Sequence, residues 1–181
     1  MAIQIFILSK LMEDNTYPYK LKRQLSEPIP LDQLSGLTES KLYYHFDSLA
    51  KKGLIETIEI IKEEHRPDKQ VFKITDKGRE ELPKKIYKLF ESADAISDMV
   101  VGLVNIKYVD RNKVIEILEK KLQSFTDHWD YIKGYEQHIQ KDTDKGKEQL
   151  VEFLSGHFTS RAKHTIHWLE ELIKLIKQKD I

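Results

Sequence analysis

Hydrophobic positions along the chain keep a helical period for most of its length and abandon it once. Ile3, Ile7, Leu8 and Leu11 form a stripe that predicts a helix over residues 3–12. Asn15-Thr16 offers a stop and a fresh N-cap. Pro18 suits the first turn of a second short helix carrying Tyr19, Leu21 and Leu25, which ends before Pro28-Ile29-Pro30. Gly36-Leu37-Thr38 restarts the chain, with Thr38 as N-cap and Glu39 in the first turn. The third helix holds Leu42, Phe46 and Leu49 on one face and stops at Gly53. The period then changes. Leu54 to Ile61 is rich in β-branched residues and reads as a strand, as does Gln70 to Ile74, with a polar tip from Lys62 to Lys69 between them. Thr75-Asp76-Lys77 caps another helix, with Pro83 near the start of its main run. Three helices, a hairpin and a helix follow in the order of a winged helix-turn-helix.

The second half keeps one period throughout. From Asn112 to Gln140, Ile115, Leu118, Leu122, Phe125, Trp129, Ile132 and Ile139 fall on steps of three, four and, once, seven, a heptad seam. Asp142 to Gly146 breaks it. A second long helix then places Val151, Leu154, Phe158, Arg161, Thr165, Trp168, Leu172 and Leu175 on steps of three and four. Two antiparallel helices of this length leave Tyr131, Tyr135, Leu169 and Ile176 beside the seam, more apolar surface than a lone hairpin buries. The expected partner is a second copy of the chain. Residues Leu118, Leu122, Phe125, Trp129, Ile132, Leu154, Phe158, Trp168 and Leu172 are the expected dimer contacts. The fold class is therefore mainly α. A winged domain of three helices and a two-stranded wing spans residues 1–82, and a long antiparallel helical dimerisation domain spans 83–181.

Composition narrows the function. Thirty Lys and Arg balance thirty Asp and Glu, which excludes indiscriminate coating of nucleic acid or membrane by bulk charge. The balance is uneven along the chain, with a small cationic excess before residue 90 and a matching acidic excess after it. Cysteine is absent, so disulfides, thiolate nucleophiles and Cys-bound metals are excluded. The apolar run from Ile5 to Leu8 is too short to span a bilayer, and no cleavable leader is recognisable, so a soluble cytoplasmic protein is expected. Phosphate-binding Gly-rich loops, GxSxG elbows and catalytic carboxylate pairs are not recognisable, and no enzyme and no cofactor are implied. His157, His164 and His167 lie on the last helix without a zincin spacing. A metal-responsive sensor is the weakest alternative, and seam histidines are the commoner reading.

The third helix is the candidate reader of DNA. Burying Leu42 and Phe46 leaves Ser40, Lys41, Tyr43, Tyr44 and His45 to reach base edges and phosphates. Lys20 and Lys22 of the second helix, in a run with no acid, suit backbone phosphates. At the wing tip His65, Arg66 and Lys69 suit a minor groove, among the acids Glu63, Glu64 and Asp68. The balanced charge and acidic tip support an alternative: a winged-helix module that binds protein without binding DNA.

Three stretches carry a family resemblance. They are Tyr17-Pro-Tyr-Lys-Leu21, then Ser40-Lys-Leu-Tyr-Tyr44 followed by Leu49-Ala-Lys-Lys-Gly-Leu-Ile55, and Lys69-Gln-Val-Phe-Lys-Ile-Thr-Asp-Lys-Gly-Arg79. Together they make the chain resemble the PadR-like transcriptional regulators, with Tyr44 standing where the family usually has proline. The resemblance implies a homodimeric repressor acting on double-stranded DNA at a palindromic operator, relieved by a small aromatic effector. It also implies that Tyr43 is the reading-helix tyrosine and that Arg66 and Lys69 are wing contacts.

Overall fold

The first helix, α1 (Ala2–Glu13), is apolar on nearly every side, and the fold uses all of it. Ile3, Ile5, Phe6, Ile7, Leu8, Ser9 and Leu11 are all buried, where the stripe at 3, 7, 8 and 11 predicts a one-sided helix. A helix buried all round has to be surrounded. In the computed structural model, which describes residues 1–25, 39–62, 69–142 and 147–181, α1 is the hub of the first of two compact units, Met1–Asp110.

Around α1 stand α3 (Glu39–Lys51), α4 (Asp76–Ser92) and α5 (Ile96–Val104), while α2 (Pro18–Gln24) packs on α3. Leu21 and Leu25 are buried, whereas Tyr19, expected on the same face, is exposed. Leu42, Phe46 and Leu49 of α3 are fully buried. Strands β1 (Ile55–Ile61) and β2 (Lys69–Ile74) pair antiparallel from Ile55–Ile74 out to Ile61–Lys69, with an irregularity between Thr57 and Glu59. The ring of Phe46 packs 5.1 Å from that of Phe72, which holds the wing against α3. Thr16 does not cap α2, whose N-cap is Tyr17. Its backbone instead pairs with Phe72 through N–H···O bonds of 3.1 and 2.8 Å, a β-branched residue used as one rung of sheet.

Helix α4 begins at Thr75, whose side chain accepts a hydrogen bond from the Gly78 N–H, and it continues through Pro83. The chain then folds back through α5 and a 3-10 turn at Ile106–Tyr108. The hydropathy pattern did not mark α5 as an element. It is capped where Asp98 accepts from the Ala95 N–H at 3.2 Å. Because α4 and α5 pack on α1, the first compact unit extends to Asp110.

The second unit, Arg111–Ile181, is a hairpin of α6 (Arg111–Asp142) and α7 (Glu148–Gln178). Lys177 near the end of α7 pairs at 2.7 Å with Glu119 near the start of α6, so the helices run antiparallel. Val114, Leu118 and Trp129 of α6 are buried, and Leu122, Phe125 and Ile132 are half-buried. On α7 the buried residues are Ala162, Leu169, Leu172, Ile173 and Ile176. Within this unit the expected α7 seam is displaced: of its members only Leu172 is buried, while Leu154, Phe158, Trp168 and Leu175 are exposed. The physical reason is that α7 is apolar on two adjoining stripes, and the hairpin buries the neighbouring one. Thr38 with the stop at Pro28-Ile29-Pro30, the wing tip, and most of the break ending at Gly146 lie outside the described residues.

Candidate nucleic-acid interface

Three inward apolar residues orient α3. With Leu42, Phe46 and Leu49 in the core, the 3.6-residue period turns Tyr44, Asp47 and Lys51 outward and sets Tyr43 to one side and Lys41, His45 and Lys52 to the other. Tyr43 is 50% exposed and Tyr44 69%. Neither tyrosine packs in the core, so two large amphipathic rings stand in water on one short helix. Tyr44 meets the His45 ring edge-on at 5.2 Å. Lys41 is exposed, and the side chain of Ser40 lies outside the described residues. Helix α3 ends at Gly53, which takes φ +68°, and the Gly53 and Leu54 N–H groups return to Ala50 and Leu49.

His45 is the one half-buried member of the group. Its Nδ1 lies 3.5 Å from Nε2 of Gln4, and Oε1 of Gln4 accepts from Nζ of Lys85 at 3.0 Å. Burial lowers the imidazole's affinity for a proton, and the nearby positive charges, Lys52 and Lys41 among them, lower it further. Burial also lowers the Lys85 ammonium, followed by Lys52. Gln4 and Lys85 carry no sequence motif. They join the site only because α1 and α4 flank α3.

The other candidates are less closely grouped. Lys20 is exposed on α2 and pairs with Asp14 at 3.2 Å; Lys22 is exposed on the same helix. Lys69 starts β2 with its ammonium 5.6 Å from the centre of the Tyr17 ring, joining the foot of the wing to α2. His65 and Arg66 lie outside the described residues. Among the described residues no cluster of three or more His, Asp or Glu could hold a metal, His157, His164 and His167 included. No helix among them is long and apolar enough to cross a membrane.

No curated protein sequence matches the chain. Among solved structures, Bacillus subtilis PadR in complex with operator DNA is 17% identical, with 97% of this chain and 99% of that one aligned, at a TM-score of 0.43. The same protein in complex with p-coumaric acid is 16% identical over 98% and 99%, at 0.40. A PadR family regulator from Clostridium difficile R20291 is 23% identical over 47% of this chain and 83% of its own, at 0.38. Scores this low do not identify a fold by themselves. The informative match is to the family model described as "Transcriptional regulator PadR-like family", over residues 7–84, which takes in the second half of α1, α2, α3, the wing and the start of α4. Over residues 7–84 the chain is therefore similar to the PadR-like family of transcriptional regulators.

Proposed function

We propose that the chain is a homodimeric repressor that binds a palindromic operator, with α3 of each copy in successive major grooves. The single observation that carries this reading is the outer surface of α3. Lys41, Tyr43 and Tyr44 are exposed together on the helix that precedes the wing, inside the segment that matches a family of transcriptional regulators. In this reading Ser40, Lys41, Tyr43, Tyr44 and His45 meet bases and the phosphates beside them. Lys20 and Lys22 take phosphates in front of α2, and His65, Arg66 and Lys69 take the wing contacts.

The dimer is supported by the second unit. Leu150, Phe153, Leu154, Phe158, Trp168 and Leu175 leave a run of large apolar side chains exposed along α7. A second copy would cover that stripe. A small aromatic effector belongs to the same reading, and saturable quenching of tryptophan fluorescence by a phenolic acid would report it.

A competition gel shift on DNA upstream of the protein's own gene tests the function. The expected result is a shift that survives excess unrelated duplex. Failure to shift any genomic fragment overturns the reading. Zero net charge and the Lys20–Asp14 pair favour a second reading, a module that binds protein and not DNA. Salt dependence separates the two, because neutralising phosphates gives affinity that falls steeply with salt.

A further inference from the structure

One flank of α3 carries positive charge that runs from Lys41 and His45, at the edge of the proposed reading surface, back to Lys52 and to α4. Lys41, His45 and Lys52 recur at steps of four and seven, so they line one side of the helix. That side faces α1 and α4. Gln4 on α1 reaches His45, Lys85 on α4 reaches Gln4, and Nζ of Lys77 on α4 donates to the Lys52 carbonyl at 2.9 Å. Lys88 lies one turn beyond Lys85 on α4. Glu81 lies within range of Lys85, and it is hydrogen-bonded to Lys84 at 2.8 Å. None of the ion pairs formed among the described residues involves Lys41, Lys52 or Lys85. Cations gathered this way repel one another in the folded protein and are relieved by an anion.

We propose that this flank is a phosphate site. It receives the sugar–phosphate backbone of the DNA strand running beside α3, with Lys41, Lys52 and Lys85 as cations and His45 as a hydrogen-bond donor. The inference rests on the DNA-binding reading and adds a contact surface to it. A helix lying in a major groove has base edges before its outer face and a phosphate backbone along each side. The tyrosines occupy the front and the far side, and the lysines occupy this one. The chemistry of His45 fits the role. The Lys85 ammonium holds the Gln4 oxygen, which turns the Gln4 amide nitrogen toward Nδ1 of His45. Nδ1 is then the acceptor, the ring proton sits on Nε2, and the free edge of the ring is a donor suited to a phosphate oxygen.

Fluorescence anisotropy of the full chain with an arbitrary duplex of about 30 base pairs, across a salt series, tests the site, since phosphate contacts are independent of sequence. Wild type should show a steep fall of affinity with salt. The double variant Lys52→Gln/Lys85→Gln should lose about 1.8 from the slope of log K against log salt. Its melting temperature should not fall, because a repulsive pair has been removed. Lys163→Gln, which removes one charge from α7, should keep the wild-type slope. Lys52→Gln alone, at an exposed position, should lose about half of the effect. A steep wild-type slope that both variants share overturns the phosphate site and leaves the DNA-binding reading standing. A wild type that binds no duplex at any salt overturns the DNA-binding reading and the site with it.

Discussion

Thr75 and Gly78 tie three elements together at a single point. The Thr75 hydroxyl accepts from the Gly78 N–H at 3.1 Å and donates to the Gly53 carbonyl at 2.8 Å, and the Thr75 N–H reaches the Leu54 carbonyl at 3.1 Å. A Cβ at residue 78 would collide with the Leu54 carbonyl oxygen and crowd Ile74. Thr75-Asp76-Lys77-Gly78 and Lys52-Gly53-Leu54 are thus two halves of one joint. Gly78→Ala should cost about 1–3 kcal/mol, because the oxygen it strikes is backbone and cannot rotate away. Gly53→Ala should cost about 1 kcal/mol for the left-handed φ. Urea melts of the two variants check both. Tyr43→Phe, at a half-exposed position, should leave stability within about 0.5 kcal/mol. The same change, or Lys41→Ala, should weaken specific binding by about 1–3 kcal/mol if a base contact is lost; unchanged affinity would show that the assignment of α3 as the reader is wrong. His45 gives a pH dependence. Its folded-state pKa lies below the unfolded value of about 6.5. The unfolded chain therefore binds more protons between the two values, and stability falls as pH drops from about 6.5 through the folded pKa. His45→Gln should flatten that limb of a pH series of thermal melts.

At the scale of elements, period proved easier to read than direction. Spacing alone located the two long helices, and β-branching located the hairpin. Direction depends on what surrounds an element. Helix α1 shows a partial stripe in sequence, yet neighbours on every side bury the rest of it. Helix α7 is apolar on two adjoining stripes, and nothing in a heptad tells which one meets α6. Helix α5 was missed because Gly102, Asn105 and Lys107 interrupt an otherwise uniform apolar run, which hid its period. The outward face of α3, proposed above as the reading surface, was legible because Leu42, Phe46 and Leu49 leave few orientations for the helix. The cationic flank was not legible, because Gln4 and Lys85 come from helices far off in sequence and meet only in the folded unit. Two substitutions separate the interface between α6 and α7 from the exposed stripe of α7. Leu118→Ala, beneath the hairpin, should destabilise the second unit by about 2–5 kcal/mol. Trp168→Ala, on the exposed stripe, should leave the helical content unchanged and weaken self-association in sedimentation velocity. A monomeric wild type would show that the stripe does not join two copies.

For the whole molecule, zero net charge has a narrower meaning than it first had. It conceals a cationic flank on α3 in the first unit and an acidic excess in the second half of the chain. In the proposed reading a single winged unit would offer only a few phosphate contacts, so useful affinity would depend on two units acting on one duplex. Hydroxyl-radical footprinting on the fragment that wild type retains in competition tests this most directly. The account predicts two protected patches related by a two-fold axis, with centres about one helical turn, or a small multiple of it, apart. A single asymmetric patch, or uniform protection of every fragment, would contradict it.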